Sequence, residues 1–227
     1  MLNAVYRLVA PRRFEVEFGE VPLFGQEVIV RPTHLSICHA DQRYYQGSRP
    51  AEVLKQKLPM ALIHEGIGDV VYDPQGVFKA GDSVIMIPNT PVEKDDVIAE
   101  KVSTADDGEI VVALIGFDGF MQEHVVLTHD RVVPLDPSID KVIAAFTELV
   151  SVSMHAVLRF DRFAHKRRNI VGIWGDGNLG YITSVLFKAT FPDTRLYIFG
   201  VSEEKMSSFT FADATFNVND IPEDLLV

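Results

Sequence analysis

Two sets of residues in this chain have the types and spacing to do chemistry. The first is Gly175-x-Gly177-x-x-Gly180, which follows the apolar run Ile170, Val171, Ile173, Trp174 and precedes a helix-like segment, Tyr181–Thr190. Strand, glycine turn and helix in that order make a phosphate cradle. Gly175 permits the tight turn, Gly177 lets a pyrophosphate approach the backbone, and Gly180 lets the helix pack close to the strand. The helix start, with Asn178 and Leu179, offers free N–H groups and partial positive charge to an anion. The second set is a scattered group of candidate metal ligands: Cys38, the adjacent pair His64 and Glu65, and Glu148. A thiolate, an imidazole and one or two carboxylates suit Zn²⁺, whose catalytic sites keep one position open. Adjacent side chains on a strand point to opposite faces. His64 and Glu65 can therefore share an ion only if the backbone bends there, and Gly66 and Gly68 are expected to permit the bend. Each residue also has a plain structural reading: a lone cysteine is a small buried hydrophobe, and Glu148 near a helix start complements the dipole. Spacing alone does not make a zinc site.

The chain itself argues the cofactor type. In NAD-binding domains a carboxylate about 20 residues past the glycine motif holds the ribose 2′-hydroxyl. Counting on from Gly180 reaches Gly200, at the end of Leu196-Tyr197-Ile198-Phe199, where there is no carboxylate. Ser202 and Lys205 follow and could hold a 2′-phosphate, which favours NADP(H); Glu203 and Glu204 argue the other way.

The elements that must position these residues change character along the chain. Short apolar runs separated by turns (Ala4–Val9, Glu27–His34, Ile67–Tyr72, Ser83–Ile87, Phe120–Leu127) predict a β-rich, barrel-like first part. Apolar residues at helical intervals predict one long helix or two short ones over Val142–Phe160. A βαβ pattern follows: strand 169–174, helix 178–190, strand Leu196–Phe199, and a short helix from about Ser202. The acidic stretch Val92–Gly108 reads as an exposed loop. Only the first half of a doubly wound domain is legible, since 47 residues follow Gly180. An open three-stranded sheet would leave a face and an edge uncovered, so the chain is expected to be incomplete or to rely on a partner. A net charge of −11 argues against nucleic-acid binding. One cysteine excludes an internal disulfide and cysteine-built structural zinc. No run of about 18 apolar residues and no leader pattern is present, so a cytoplasmic protein is the expectation.

In the order Cys38…His64-Glu65-Gly66…Gly81-Asp82-Ser83-Val84…Glu148…Gly175-x-Gly177-x-x-Gly180, the chain resembles the zinc-dependent medium-chain alcohol dehydrogenase family. Four stretches resemble the ribulose-5-phosphate reductases within it: Ile37–Tyr45, Pro88–Pro91, Gly116–Glu123 and Thr147–Ser153. The resemblance implies an α/β plus β fold, with a GroES-like β-barrel catalytic domain over 1–145 and a partial Rossmann NADP-binding domain over 146–227. It also implies Zn²⁺ on Cys38, His64 and Glu65 or Glu148, and NADP(H) on Gly175, Gly177, Asn178, Leu179, Gly180, Ser202 and Lys205. Asp41 would partner a ligating histidine and fix its tautomer. His39, Arg43 or Tyr45 would bind a sugar phosphate or relay a proton. The implied activity is reduction of D-ribulose 5-phosphate to D-ribitol 5-phosphate, in a homodimer, with a cytidylyltransferase as functional partner making CDP-ribitol for teichoic acid or capsule synthesis. The chain departs from the family in three places. It lacks the four-cysteine lobe, so the part around 92–115 must fold without metal or not fold. Residues Lys101–Ile115 fit the reductase pattern poorly. Ala40 stands where alcohol dehydrogenases carry a hydroxyl relay. Two other readings share the same residues: another zinc-dependent polyol or alcohol dehydrogenase, and a non-catalytic fragment acting as an interaction module.

Overall fold

The computed structural model describes residues 1–88, 90–92, 110–112 and 118–221. The chain divides into two compact units, Met1–Glu148 and Leu149–Val227.

The first unit is mostly antiparallel β-structure. Strands β1 (Leu2–Ala10) and β2 (Arg13–Glu20) form a hairpin, followed by β3 (Val28–Ser36), helices α1 (His39–Gln46) and α2 (Ala51–Lys57), and strands β4 (Met60–Ala61), β5 (Glu65–Tyr72) and β6 (Ser83–Met86). Next come β7 (Thr90–Val92), β8 (Ile110–Val112), β9 (Val125–Leu127), β10 (Val132–Pro134) and helix α3 (Lys141–Ala144). One sheet runs β2-β1-β4 and a second runs β10-β6-β5-β3-β9; among the described residues β7 pairs with β8 alone. A single bridge between Val5 and Gln122 links the first sheet to the segment before β9. Over Val28–Val30 the strand β3 buries both faces, which is why Val28-Ile29-Val30 reads as a continuous apolar run rather than an alternation. On one side β3 and β5 build a core of Val28, Val30, Val70, Val84 and Phe120; on the other, Ile67 meets Leu135 and Ala144.

Two expectations change. Of the predicted strand Phe120–Leu127, only Val125–Leu127 is strand. Residues 119–121 lie instead against 61–63, with Gly119 N, Phe120 N and Met121 N donating to the carbonyls of Ala61, Ile63 and Leu62. Gly119 is needed there, because a Cβ would lie 2.3 Å from the Ile63 carbonyl oxygen. The glycines at 66 and 68 do not supply a bend. Each lets β5 lie close on β3: a Cβ would meet the His34 oxygen at 2.8 Å or the Arg31 oxygen at 2.5 Å. The bend lies one residue before His64, at Ile63, whose φ of +70° is a costly conformation for a β-branched residue. Most of the stretches 92–108 and 92–115 singled out in the sequence lies outside the described residues.

The helical pattern over 142–160 resolves into α3 and α4 (Thr147–Phe163), and the unit boundary falls within α4. The second unit then runs β11 (Ile170–Trp174), α5 (Asn178–Thr190), β12 (Arg195–Gly200), α6 (Glu203–Met206) and β13 (Ala214–Asn217). Its sheet is parallel, in the order β11-β12-β13. Alternation along β12 sends Leu196 and Ile198 into a core with Val157 of α4, Phe187 of α5 and Phe209. The opposite face carries Trp174, Phe199 and Phe216 in register, stacked 4.3 Å and 5.2 Å between ring centroids.

The turn after β5 is set by Asp73, whose side chain is fully buried. Burial alone would raise its carboxyl. The N–H groups of Phe78 and Gln75 and the ring of His129 at 2.9 Å outweigh this and hold it below the usual carboxylate range. A depressed carboxyl contributes stability above its unfolded pKa of about 4 and loses it as pH falls toward the folded value. In urea denaturation, Asp73→Asn is expected to cost about 1–3 kcal/mol at pH 7. The difference from wild type should shrink as the pH is taken below about 4.

Candidate metal centre and nucleotide cradle

The first site is built around α1. Cys38 is its N-cap: Sγ accepts from Asp41 N at 3.5 Å, and an Asp41 carboxylate oxygen accepts from Cys38 N at 3.0 Å. This reciprocal pair holds the helix start. The other oxygen of Asp41 accepts from Ile63 N at 3.0 Å. One buried carboxylate therefore joins the thiol-bearing helix to the residue where the chain turns before His64. Asp41 does not touch the His64 ring, whose Nδ1 has no partner. Its role as imidazole partner is corrected to that of a backbone tie, because both its oxygens are taken by N–H groups. A second tie was not assigned a role from sequence. Asp118 accepts from Ala61 N at 2.9 Å and from Arg7 Nη2 at 2.5 Å, holding the same segment from the other side. The stretch Gly116–Glu123 held the signal, but nothing in its pattern named a partner.

These ties bring Cys38, His64 and Glu65 together: one ligand atom from each lies within 4.8 Å of the others. Glu65 is 1% exposed and its Oε2 has no hydrogen-bond partner. A buried carboxylate oxygen without a donor is costly. Burial also pushes the Cys38 thiol up to about 12; the Asp41 N–H works against this, while the Asp41 carboxylate adds to it. Glu148, in the first turn of α4, stands outside the three-residue cluster but within electrostatic reach of it. Its carboxyl is pushed up by burial first, His64 opposing and Glu65 and Asp41 adding. A thiol and an imidazole gathered with a buried carboxylate, and a second carboxylate within electrostatic reach, are groups that a divalent ion would neutralise. The S, N and O donor set, with two orphaned atoms, fits Zn²⁺.

His39 is exposed at the start of α1, and Arg43 is half-buried along the same helix. Tyr45 stacks on Phe14 and lines an apolar cavity of about 400 Å³ with Ile37, Leu62 and Met121.

The second site lies wholly in the second unit. Gly175 has φ +134°, open only to glycine. A Cβ on Gly180 would lie 2.0 Å from the Gly175 carbonyl oxygen, so the first turn of α5 rests on the glycine turn itself. Gly177 caps α5 with no side-chain hydrogen bond, and a Cβ there would meet nothing within 4 Å. No internal contact requires glycine at 177, which leaves room for a ligand. The end of β12 does hold a carboxylate, which counting from the motif did not find. Asp176, inside the glycine turn, accepts from Val201 N at 2.9 Å and Ser202 N at 2.7 Å. Ser202 in turn accepts from Lys205 N at 3.4 Å.

Residues 25–137 match the alcohol dehydrogenase GroES-like domain. Over 225 residues the chain is 53% identical to ribulose-5-phosphate reductase 1 of Staphylococcus aureus and 51% identical to the ribulose-5-phosphate reductase of Bacillus spizizenii. The chain belongs to the medium-chain alcohol dehydrogenase family. Each of these alignments takes in 99% of the chain, which spans 65% of the length of either curated relative. The crystal structure of S. aureus TarJ in complex with NADPH superposes with a TM-score of 0.78 at 48% identity, over 98% of this chain and 62% of that one.

Neutralising the orphaned carboxylate should separate its two effects. In chelator, Glu65→Gln is expected to melt at or above the wild-type temperature, because a buried charge is gone. With excess zinc, wild type should gain stability and the variant should not. Thermal denaturation with and without zinc checks this.

Proposed function

We propose that this chain acts as an NADPH-dependent, zinc-assisted reductase. Its reaction is D-ribulose 5-phosphate to D-ribitol 5-phosphate, which a cytidylyltransferase then converts to CDP-ribitol for teichoic acid or capsule synthesis. A homodimer in the cytoplasm is part of the same reading. The observation that carries it is the buried, unpartnered Glu65 carboxylate beside a thiol and an imidazole, in a chain 53% identical to a ribulose-5-phosphate reductase. Further support for the cofactor comes from the structure bound to NADPH to which this chain is similar.

Cys38, His64 and Glu65 would hold the ion, with Glu148 beside them. Bound zinc supplies Lewis acidity, polarising the substrate ketone. The chain's own contribution begins with Asp41, which fixes Cys38 and the Ile63 turn so that the ligands converge without rearrangement. The Gly175–Gly180 turn and the N–H groups of Asn178 and Leu179 would receive the cofactor pyrophosphate. Ser202 and Lys205, after the end of β12, would take a 2′-phosphate. Ala40 offers no hydroxyl, so the proton needed at the product oxygen comes by another route. Glu148, whose carboxyl feels His64 and Glu65, would order a water there. The net reaction adds a hydride and a proton across the ketone and leaves the oxidised cofactor.

The reaction is followed by loss of NADPH absorbance with ribulose 5-phosphate, against ribulose, xylulose and NADH. The expected result is turnover with ribulose 5-phosphate and NADPH that is at least about tenfold better than with the unphosphorylated ketose, from charge-assisted bonds to the phosphate. It should vanish in Cys38→Ala. No turnover above background with any of these pairs would end the enzyme reading for this chain.

A further inference from the structure

The carboxylate of Asp176 is a part of the nucleotide cradle that its glycine motif does not explain. The motif requires glycine at 175, 177 and 180 and places no demand on 176. Yet the residue is held on three sides. One oxygen, Oδ2, accepts from both Val201 N and Ser202 N. Its side chain packs on Gly200, where an added Cβ would come within 2.7 Å of the Asp176 Cβ and 2.8 Å of the Met206 sulfur. Gly175 N donates to Phe199 O at 2.8 Å, which keeps the turn carrying Asp176 against the end of β12. The N–H of Ser202 leads the list of influences that hold the Asp176 carboxyl below the usual carboxylate range, with burial opposing, Val201 N–H assisting and Lys205 adding its charge.

We propose that Asp176 is a positioning residue for cofactor choice: by gathering the backbone of Val201 and Ser202 it holds the Ser202 hydroxyl and the Lys205 ammonium ready for the 2′-phosphate of NADPH. The proposal rests on the NADPH reading above. It also accounts for a carboxylate at a place where an acidic group ordinarily selects the ribose hydroxyl of NAD. Here the oxygen that faces the loop is committed to two N–H donors and is countered by Lys205. It works as a strut between the glycine turn and the following loop rather than as a ribose acceptor. Hydrogen bonds to an ionised acceptor are about twice as strong as neutral ones, which suits a strut that must outlast the arrival of a dianionic phosphate.

The test uses fragments of the cofactor that carry no nicotinamide, so that hydride transfer and the metal play no part. Binding of 2′,5′-ADP and 5′-AMP to the purified chain is measured calorimetrically for wild type, Asp176→Ala and Asp176→Asn, with circular dichroism to check folding. Wild type is expected to prefer 2′,5′-ADP. Asp176→Ala should lose about tenfold in 2′,5′-ADP affinity with 5′-AMP within about twofold, the scale of one or two hydrogen bonds to a charged group. Asp176→Asn, which keeps a carbonyl oxygen for the same two N–H groups, should retain the preference within about threefold. Equal losses for both nucleotides, no change in Asp176→Ala, or an Asn variant as impaired as Ala would each overturn the proposal. A wild type that does not distinguish the two nucleotides would instead end the NADPH reading, and the proposal with it.

Discussion

The candidate metal centre depends on one carboxylate that would not itself bind metal. Asp41 takes the N–H of Cys38 with one oxygen and the N–H of Ile63 with the other. Those residues are 25 positions apart in the chain. The β3–β5 ladder already sets Ser36 opposite Glu65; Asp41 completes the approach by tying the thiol-bearing N-cap of α1 to the turn before the imidazole. The tie has to be strong because it works against an unfavourable backbone. A β-branched residue at positive φ costs on the order of 1–3 kcal/mol, and Ile63 holds that conformation between Asp41 on one side and the 119–121 segment on the other.

The two units solve opposite electrostatic problems. In the first, a buried carboxylate with an unpartnered oxygen lies beside a thiol and an imidazole, so the arrangement calls for a cation. In the second, the start of α5 leaves its N–H groups without a side-chain cap, so the arrangement calls for an anion. Both depend on the absence of a Cβ at a few points. Gly119 admits the extended segment that braces Ile63, and Gly180 lets a helix begin on top of a turn. A methyl group at either position would collide with backbone oxygen, which cannot swing aside as a side chain can.

What the sequence made legible follows from how local each signal is. The glycine turn with its flanking strand and helix is a contiguous pattern of sequence, and β11, α5 and β12 fall where periodicity places them. Strand β2 was not anticipated, although Phe14, Val16 and Phe18 alternate with charged residues. Its two faces are both largely exposed, so no buried stripe marks it. The site residues Cys38, His64 and Glu65 were legible as types but not as neighbours from spacing, since their meeting depends on hydrogen bonds between distant segments. The bend was assigned to Gly66 and Gly68 because glycine is the usual signature of unusual φ; it lies instead at Ile63, held by tertiary contacts. Spacing downstream of the motif does not mark Asp176, because the fold brings this carboxylate to the end of β12 from within the glycine turn.

The single tryptophan of the chain is Trp174, the last residue of β11 and the immediate neighbour of the Gly175 turn. It is 65% exposed and lies flat on Phe199. Excitation at the red edge of protein absorbance therefore addresses one indole at one address. Its emission reports the solvent and stacking around the nucleotide turn, free of any contribution from the β-rich first unit.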